Sequence, residues 1–219
     1  MASMKHRYLG LLIFFPLCLA GRSPLAADTK SSVYGPPAPQ GSAFVRVLNL
    51  ATGQSGLRLG VGAANFGPLR FAQASPYRPV AADIYVLRAA GRQATVAVRP
   101  GAYYTAAITD EGIRFLEDPP HTDPARAQIF LYNFSSIPEL ALKTADGRTT
   151  VVGPVRSGDS GVVAVNPIRI RFAVYRGEAR IGLIEDLGLA RGESYSVFAG
   201  GRGSDILLFS ARAEVLVEP

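Results

Sequence analysis

The sequence predicts an all-β protein, built as two tandem β-sandwich domains that follow a cleaved signal peptide. Short alternating segments separated by turn residues fill the chain from Ser42 onward, and no run of twelve or more residues keeps a helical period. The chain also repeats itself. Val45-Arg46-Val47-Leu48-Asn49 returns as Ile129-Phe130-Leu131-Tyr132-Asn133, an offset of 84. Residues 79–88 align with 167–176 at an offset of 88, and residues 98–105 with 189–196 at 91. Three landmarks in one order at nearly constant spacing imply two related units of roughly 80–90 residues, an ordinary domain size. The third landmark has its own chemistry. Val98-x-Pro100-Gly101-x-x-Tyr104 and Leu189-x-Arg191-Gly192-x-x-Tyr195 match the tyrosine corner of immunoglobulin-like and fibronectin-type sandwiches. There a strand-entry tyrosine hydrogen-bonds to backbone a few residues upstream. Tyr104 and Tyr195 are therefore expected to be structural.

The segments follow in order. Lys5 and Arg7 open a basic region, residues 8–19 are apolar, and Ala20 ends a small-x-small site. That apolar run is shorter than the roughly 20 residues of a membrane span, so residues 1–20 read as an export signal rather than an anchor. Cleavage at Ala26 or Ala27 is the later option. Phe15-Pro16-Leu17 before Cys18 is a poor lipobox. Residues 21–41 are a Pro-rich extended lead-in. Residues 42–116 form the first sandwich, with Gly56 to Val61 and Ile84 to Leu87 alternating cleanly. Residues 117–126 hold three prolines, which cannot donate to a sheet ladder, and read as a stiff linker. Residues 127–219 form the second sandwich, whose clearest hairpin turn is Asp146-Gly147.

Composition excludes several chemistries. With Cys18 and His6 lost alongside the leader, the mature chain keeps no cysteine and one histidine, His121. Disulfides, thiolate metal sites and histidine metal clusters are excluded, and no cofactor is expected. An exported chain without disulfides must rely on its hydrophobic core. The net charge of +6 falls by two, to +4, when Lys5 and Arg7 leave. A mildly basic surface favours a polyanion or an acidic partner. No basic cluster is dense enough for nucleic acid. No phosphate loop or dinucleotide fingerprint occurs.

Gly158-Asp159-Ser160-Gly161 copies a serine-nucleophile motif. A nucleophilic serine needs a base within hydrogen-bond reach. His121 lies in the linker, only 39 residues before Ser160, and no histidine follows Ser160. The segment is better explained as a polar turn. The pairs Glu117/Asp118 and Glu185/Asp186 sit at segment ends, and neighbours on a strand face opposite ways, so neither makes a glycosidase dyad. The chain reads as non-catalytic. What remains is a surface. With Ile170, Phe172 and Val174 facing the core, Arg169, Arg171 and Tyr175 share the exposed face, a stripe suited to an acidic sugar chain or protein patch. An ordinary solvated sheet face is the plainer alternative.

Specific blocks resemble a known family. These are Val33-Tyr34-Gly35-Pro36-x-Ala38-Pro39-x-Gly41-Ser42-x-Phe44-Val45-Arg46, Glu117-Asp118-Pro119-Pro120, Leu131-Tyr132-Asn133, Leu142-Lys143-Thr144-Ala145-Asp146-Gly147 and Asn166-Pro167. Together they resemble the AlgF family of alginate-producing Gram-negative bacteria, across nearly the whole mature chain. The resemblance implies a periplasmic accessory role in O-acetylation of alginate mannuronate residues. Acyl transfer itself would fall to partners, a membrane O-acyltransferase and SGNH-type periplasmic acetyltransferases, with this protein as the adaptor between them. A polyuronate-binding module and an acetyltransferase in its own right stay open as alternatives.

Overall fold

The computed structural model describes residues 38–184 and 187–216. The expected leader and most of the Pro-rich lead-in lie outside the described residues. Seventeen strands and no helix occur among the described residues. The first half holds β1 (Ser42–Leu50), β2 (Leu57–Val61), β3 (Ala64–Leu69), β4 (Gln73–Ala74), β5 (Arg78–Ala81), β6 (Ile84–Ala89), β7 (Arg92–Ala97), β8 (Tyr103–Thr109) and β9 (Ile113–Asp118). The second half holds β10 (Ala127–Ser135), β11 (Glu139–Thr144), β12 (Thr150–Arg156), β13 (Ser160–Val165), β14 (Phe172–Arg176), β15 (Ala179–Ile184), β16 (Ser194–Arg202) and β17 (Asp205–Arg212). The chain is all-β, as its alternating pattern predicts.

In the second half, the sheets β13-β10-β16-β17 and β12-β11-β14-β15 enclose one apolar core. Ile129 and Leu131 of β10 meet Leu140 and Leu142 of β11 and Phe172 and Val174 of β14 there. The first half builds its core between the sheet β4-β1-β8-β9, with β5 also on β1, and the hairpins β2-β3 and β6-β7. Val45, Val47 and Tyr104 meet Leu57, Leu59 and Leu87 in it.

The repeat is realised atom by atom. β1 runs parallel to β8 with Val45 opposite Tyr104, and β10 runs parallel to β16 with Ile129 opposite Tyr195. These pairs carry the offsets 84 and 91. Gly101 N–H donates to Ser42 O and Gly192 N–H to Arg126 O, both at 2.8 Å. The tyrosines repeat too. Arg99 N–H donates to the Tyr104 hydroxyl at 3.2 Å, and Ala190 N–H to the Tyr195 hydroxyl at 3.0 Å. Asn49 and Asn133 close the turns after β1 and β10. The Asn49 amide donates to Gln54 O at 2.7 Å and Leu69 O at 3.1 Å. The Asn133 amide donates to Ile137 O at 3.0 Å and Val155 O at 3.1 Å. Just before those last acceptors lie Gly67 and Gly153, at φ +105° and +123°. A Cβ at Gly67 would sit 2.2 Å from Leu57 O, and one at Gly153 2.9 Å from the Ala141 Cα.

Two details differ from the sequence reading. The offset of 88 sets Ile84, 68% exposed, on Phe172, 2% exposed. An offset of 87 sets core residue Leu87 on core residue Val174, because a one-residue slip moves every strand side chain to the other face. Also, β9 continues through Glu117 and Asp118, paired with Tyr104 and Tyr103 of β8, so the sheet ends two residues later than expected.

The two halves are not strung apart. All described residues belong to one compact unit. The faces of β1, β8, β10 and β16 that point away from the two cores meet through Leu48, Leu50, Ala107, Phe130, Tyr132 and Phe198. The end of the chain crosses this seam as well. Tyr77 N–H donates to Glu214 O at 2.7 Å, and Leu216 N–H donates to Tyr77 O at 2.8 Å.

Replacing Asn133 with alanine would strand two buried carbonyls, an expected cost of about 2–3 kcal/mol. Its urea unfolding midpoint should fall with the slope unchanged; a midpoint equal to wild type would show that the amide does not close this turn.

Candidate functional site

The seam is the most unusual chemical environment in the molecule, and it is built on β1. Alternation along β1 puts Val45 and Val47 in the first core and Arg46 and Leu48 on the seam. Arg46 is thus a charged residue with 1% of its surface exposed. Its Nε donates to the Thr105 hydroxyl of β8 at 2.9 Å. Its Nη2 donates to the Tyr132 hydroxyl of β10 at 2.8 Å and to the Ser196 hydroxyl of β16 at 2.9 Å. The guanidinium carbon lies 4.7 Å from the Tyr77 ring centre and 5.3 Å from those of Tyr132 and Phe198. The counter-charge is Asp118, 2% exposed at the end of β9. Its carboxylate accepts from Thr105 and Tyr132, each at 2.6 Å, and from Tyr77 at 2.8 Å. Thr105 and Tyr132 therefore each accept from the guanidinium and donate to the carboxylate.

This arrangement fixes protonation. Burial would lower the Arg46 pKa, but Tyr132, Tyr77 and Asp118 outweigh it and hold the group above its usual value. Burial raises the Tyr77 and Tyr132 phenols, with Asp118 adding to the effect and Arg46 opposing it. The cluster holds a cation, an anion and two neutral phenols, joined by short hydrogen bonds.

The seam opens at two mouths. Where β1 and β10 end, a cleft of about 480 Å³ has Leu50, Phe71, Phe134 and Leu207 in its lining. Its rim carries Glu111 and Arg202, which form an ion pair across the halves. The offset of 91 makes these two equivalent repeat positions, now of opposite charge. Where β1 and β10 begin, a smaller pocket of about 250 Å³ is lined by Tyr77, Tyr103, Asp118, His121 and Phe130, among others.

The residues singled out from sequence are scattered. Ser160 opens β13 opposite Tyr132. The turn before it is strapped to β10, with Gly158 N–H on Asn133 O at 2.7 Å and Asn133 N–H on Asp159 O at 3.0 Å. Gly158 lines the larger cleft and His121 the smaller pocket. The His121 Nε2 is buried without a hydrogen-bond partner, so it engages no serine. Among the described residues no three His, Cys, Asp or Glu side chains gather as a metal site. No helix among them is long and apolar enough to cross a membrane. Glu185 and Asp186 lie outside the described residues. Glu117 is half-exposed and pairs with Arg99, while its neighbour Asp118 points into the seam.

The expected Arg169, Arg171 and Tyr175 stripe needs correction. Arg169 and Arg171 are exposed and precede β14. Tyr175 is 6% exposed. Its hydroxyl donates to Ala145 O at 3.2 Å, and the Lys143 ammonium lies 5.2 Å from its ring centre. The Asp146-Gly147 turn packs over the ring, where a Gly147 Cβ would come within 3.0 Å of the hydroxyl. Alternation points Tyr175 outward, but the neighbouring hairpin covers it. Sequence reasoning missed Arg46 and Asp118, although an arginine inside an otherwise apolar strand was a visible signal.

Comparison with known proteins points to one family for the chain. The family model described as "Alginate O-acetyl transferase AlgF" matches residues 16–196. The chain is 30% identical over 179 residues to the alginate biosynthesis protein AlgF of Pseudomonas putida, covering 81% of this chain and 82% of that one. It is 28% identical over 207 residues to the Pseudomonas aeruginosa protein of the same name, covering 94% of each. It is 29% identical over 209 residues to that of Azotobacter vinelandii, covering 92% of each. A solved structure of the C-terminal domain of AlgF from P. aeruginosa aligns at 30% identity and a TM-score of 0.37, covering 40% of this chain and 98% of that one. The chain belongs to the AlgF family, whose described activity ties it to alginate biosynthesis and O-acetylation.

Removing one charge of the seam leaves the other buried and uncompensated, so Arg46→Met and Asp118→Asn should each cost about 3–5 kcal/mol in chemical denaturation. A loss below about 1 kcal/mol in either would show that the seam is wet. The raised phenols give a pH dependence. The folded state holds the Tyr77 and Tyr132 protons more tightly than the unfolded chain does. Their contribution is complete below about pH 10 and is lost as pH climbs through the raised values. Phenolate absorbance should show Tyr77 and Tyr132 ionising last, together with loss of tertiary structure. Ionisation of these two alongside the other tyrosines with the fold intact would contradict this.

Proposed function

We propose that this protein is a non-catalytic periplasmic adaptor for O-acetylation of alginate mannuronate residues. In this reading it links a membrane O-acyltransferase to SGNH-type periplasmic acetyltransferases, and its two halves act as two domains. The observation that carries the reading is the separation of Ser160 from His121, with Ser160 of β13 paired to Tyr132 and the His121 Nε2 buried without a partner beside the smaller pocket. Acyl transfer through serine needs those groups in contact. The outer faces of the halves support two different partners. β6 exposes Ile84 and Val86, whereas the second half covers Tyr175 with Lys143 and the Asp146-Gly147 turn. Exposed apolar side chains on a sheet face suit a protein contact.

A second reading, a polyuronate-binding module, is favoured by Arg169 and Arg171, both exposed and in no ion pair among the described residues.

The adaptor should co-purify with the acetyltransferases, show no turnover of an acetyl-ester donor, and support normal polymer acetylation as Ser160→Ala. Turnover by the purified chain, or loss of acetylation in a folded Ser160→Ala chain, would refute it. Saturable binding of mannuronate oligomers that vanishes in Arg169→Ala or Arg171→Ala would favour the module instead.

A further inference from the structure

The smaller mouth of the seam has a lining that selects among ligands. Tyr77, Tyr103, Phe130, Pro119 and Pro120 supply ring and apolar surfaces from both sides of the seam. Tyr103 stacks on Phe44 at 4.6 Å and meets Tyr77 edge-on at 5.3 Å, so this wall is pre-formed. The polar groups here are largely committed. Asp118 already accepts from Tyr77, Thr105 and Tyr132. Gln128 donates to Pro119 O at 3.2 Å and accepts from the Ser194 hydroxyl at 2.9 Å. Glu193 receives two Arg212 nitrogens at 2.8 Å each. The exceptions are the half-buried Tyr103 hydroxyl and the His121 Nε2, the latter the one buried side-chain polar atom without a hydrogen-bond partner among the described residues. A buried nitrogen left unpaired is costly, and such an atom beside a cavity marks a place for an external partner.

These facts narrow that partner. A free sugar would strand its hydroxyls against Tyr77, Phe130 and the prolines. A carboxylate would lie near Asp118 and Glu193, with no lysine or arginine in the lining to receive it. A group with one carbonyl and a small apolar remainder meets both limits. The geometry points to a binding site for a small neutral acyl group. Its carbonyl oxygen accepts a hydrogen bond from His121 Nε2–H, and its methyl lies against Tyr103, Phe130 and Pro120. The acetyl ester of an acetylated uronate chain has this chemistry; naming it as the source rests on the acetylation role proposed above.

The test is a titration of the purified full chain, followed by the histidine and tyrosine ring signals in NMR. The probes are methyl acetate, sodium acetate, and acetylated mannuronate oligomers before and after mild alkaline removal of the esters. Methyl acetate and the acetylated oligomers should shift the His121 signal saturably, and acetate ion and the de-esterified oligomers should not. His121→Leu should weaken methyl acetate binding at least tenfold, read from the Tyr103 ring, while His121→Gln, which keeps a donor, should retain part of it. If His121→Leu does not fold, the wild-type titrations and His121→Gln decide alone. The site is overturned by no saturable response to methyl acetate, an equal response to acetate ion, or undiminished binding in a folded His121→Leu chain. A response to methyl acetate without one to the acetylated oligomers keeps the acyl site and removes the polysaccharide as its source. Deleting the gene and finding polymer acetylation unchanged would sink the functional role while leaving these titrations standing.

Discussion

One buried guanidinium organises this molecule. Arg46 cannot leave water without partners, and it finds them on strands from both halves. Thr105 comes from β8, Tyr132 from β10, Ser196 from β16 and the balancing carboxylate from the end of β9. Each partner is positioned by a strand whose opposite face fills a separate core. The two cores and the seam are therefore not independent. A shift of β1 by one residue would move Arg46 into the first core and Val47 into the seam, leaving a charge among aliphatic side chains. Hydrophobic contact between the halves supplies adhesion, and the ionic cluster supplies register.

Much of the fold was legible because strands advertise their period. The leading Asn-terminated segments and the Gly-x-x-Tyr turns marked the strands β1, β8, β10 and β16 as equivalent across the halves, since buried turn chemistry leaves a sharp residue signature, but their parallel pairing was not legible. The seam was harder to see. A strand buried on both faces loses its alternation, and the Phe130, Tyr132 and Phe134 positions of β10 read simply as more apolar residues. Arg46 breaks that pattern, but a lone charge on a strand normally points to solvent. Asp118 was hidden among prolines, where a polar run suggests a connection. Tyr175 was placed on the outward side of its strand, yet its exposure depended on a hairpin contributed by other residues. Periodicity tells which way a side chain points and leaves open what lies there to meet it.

The two halves share a backbone plan and differ in side chains at their surfaces. The shared register, the twin asparagines and the twin glycines Gly67 and Gly153 preserve backbone geometry in both halves. Differences gather where the halves touch each other or face outward. Glu111 and Arg202 occupy equivalent positions and attract each other across the cleft. Two identical halves would bring like charges together there. Complementary change at matched positions turns a self-association surface into one that accepts only the other half.

The short segment from Glu214 to Leu216 acts as a tether between the halves. It hydrogen-bonds to both backbone groups of Tyr77, whose ring covers Arg46 and whose hydroxyl reaches Asp118. The segment that positions the ionic centre of the first half is thereby held by residues that lie beyond β17 of the second. A chain interrupted before Glu214 would carry every strand of both halves and still lack the clasp on Tyr77. A motion that parts the halves must therefore also pull this clasp from Tyr77, so the backbone tether and the ionic centre give way together.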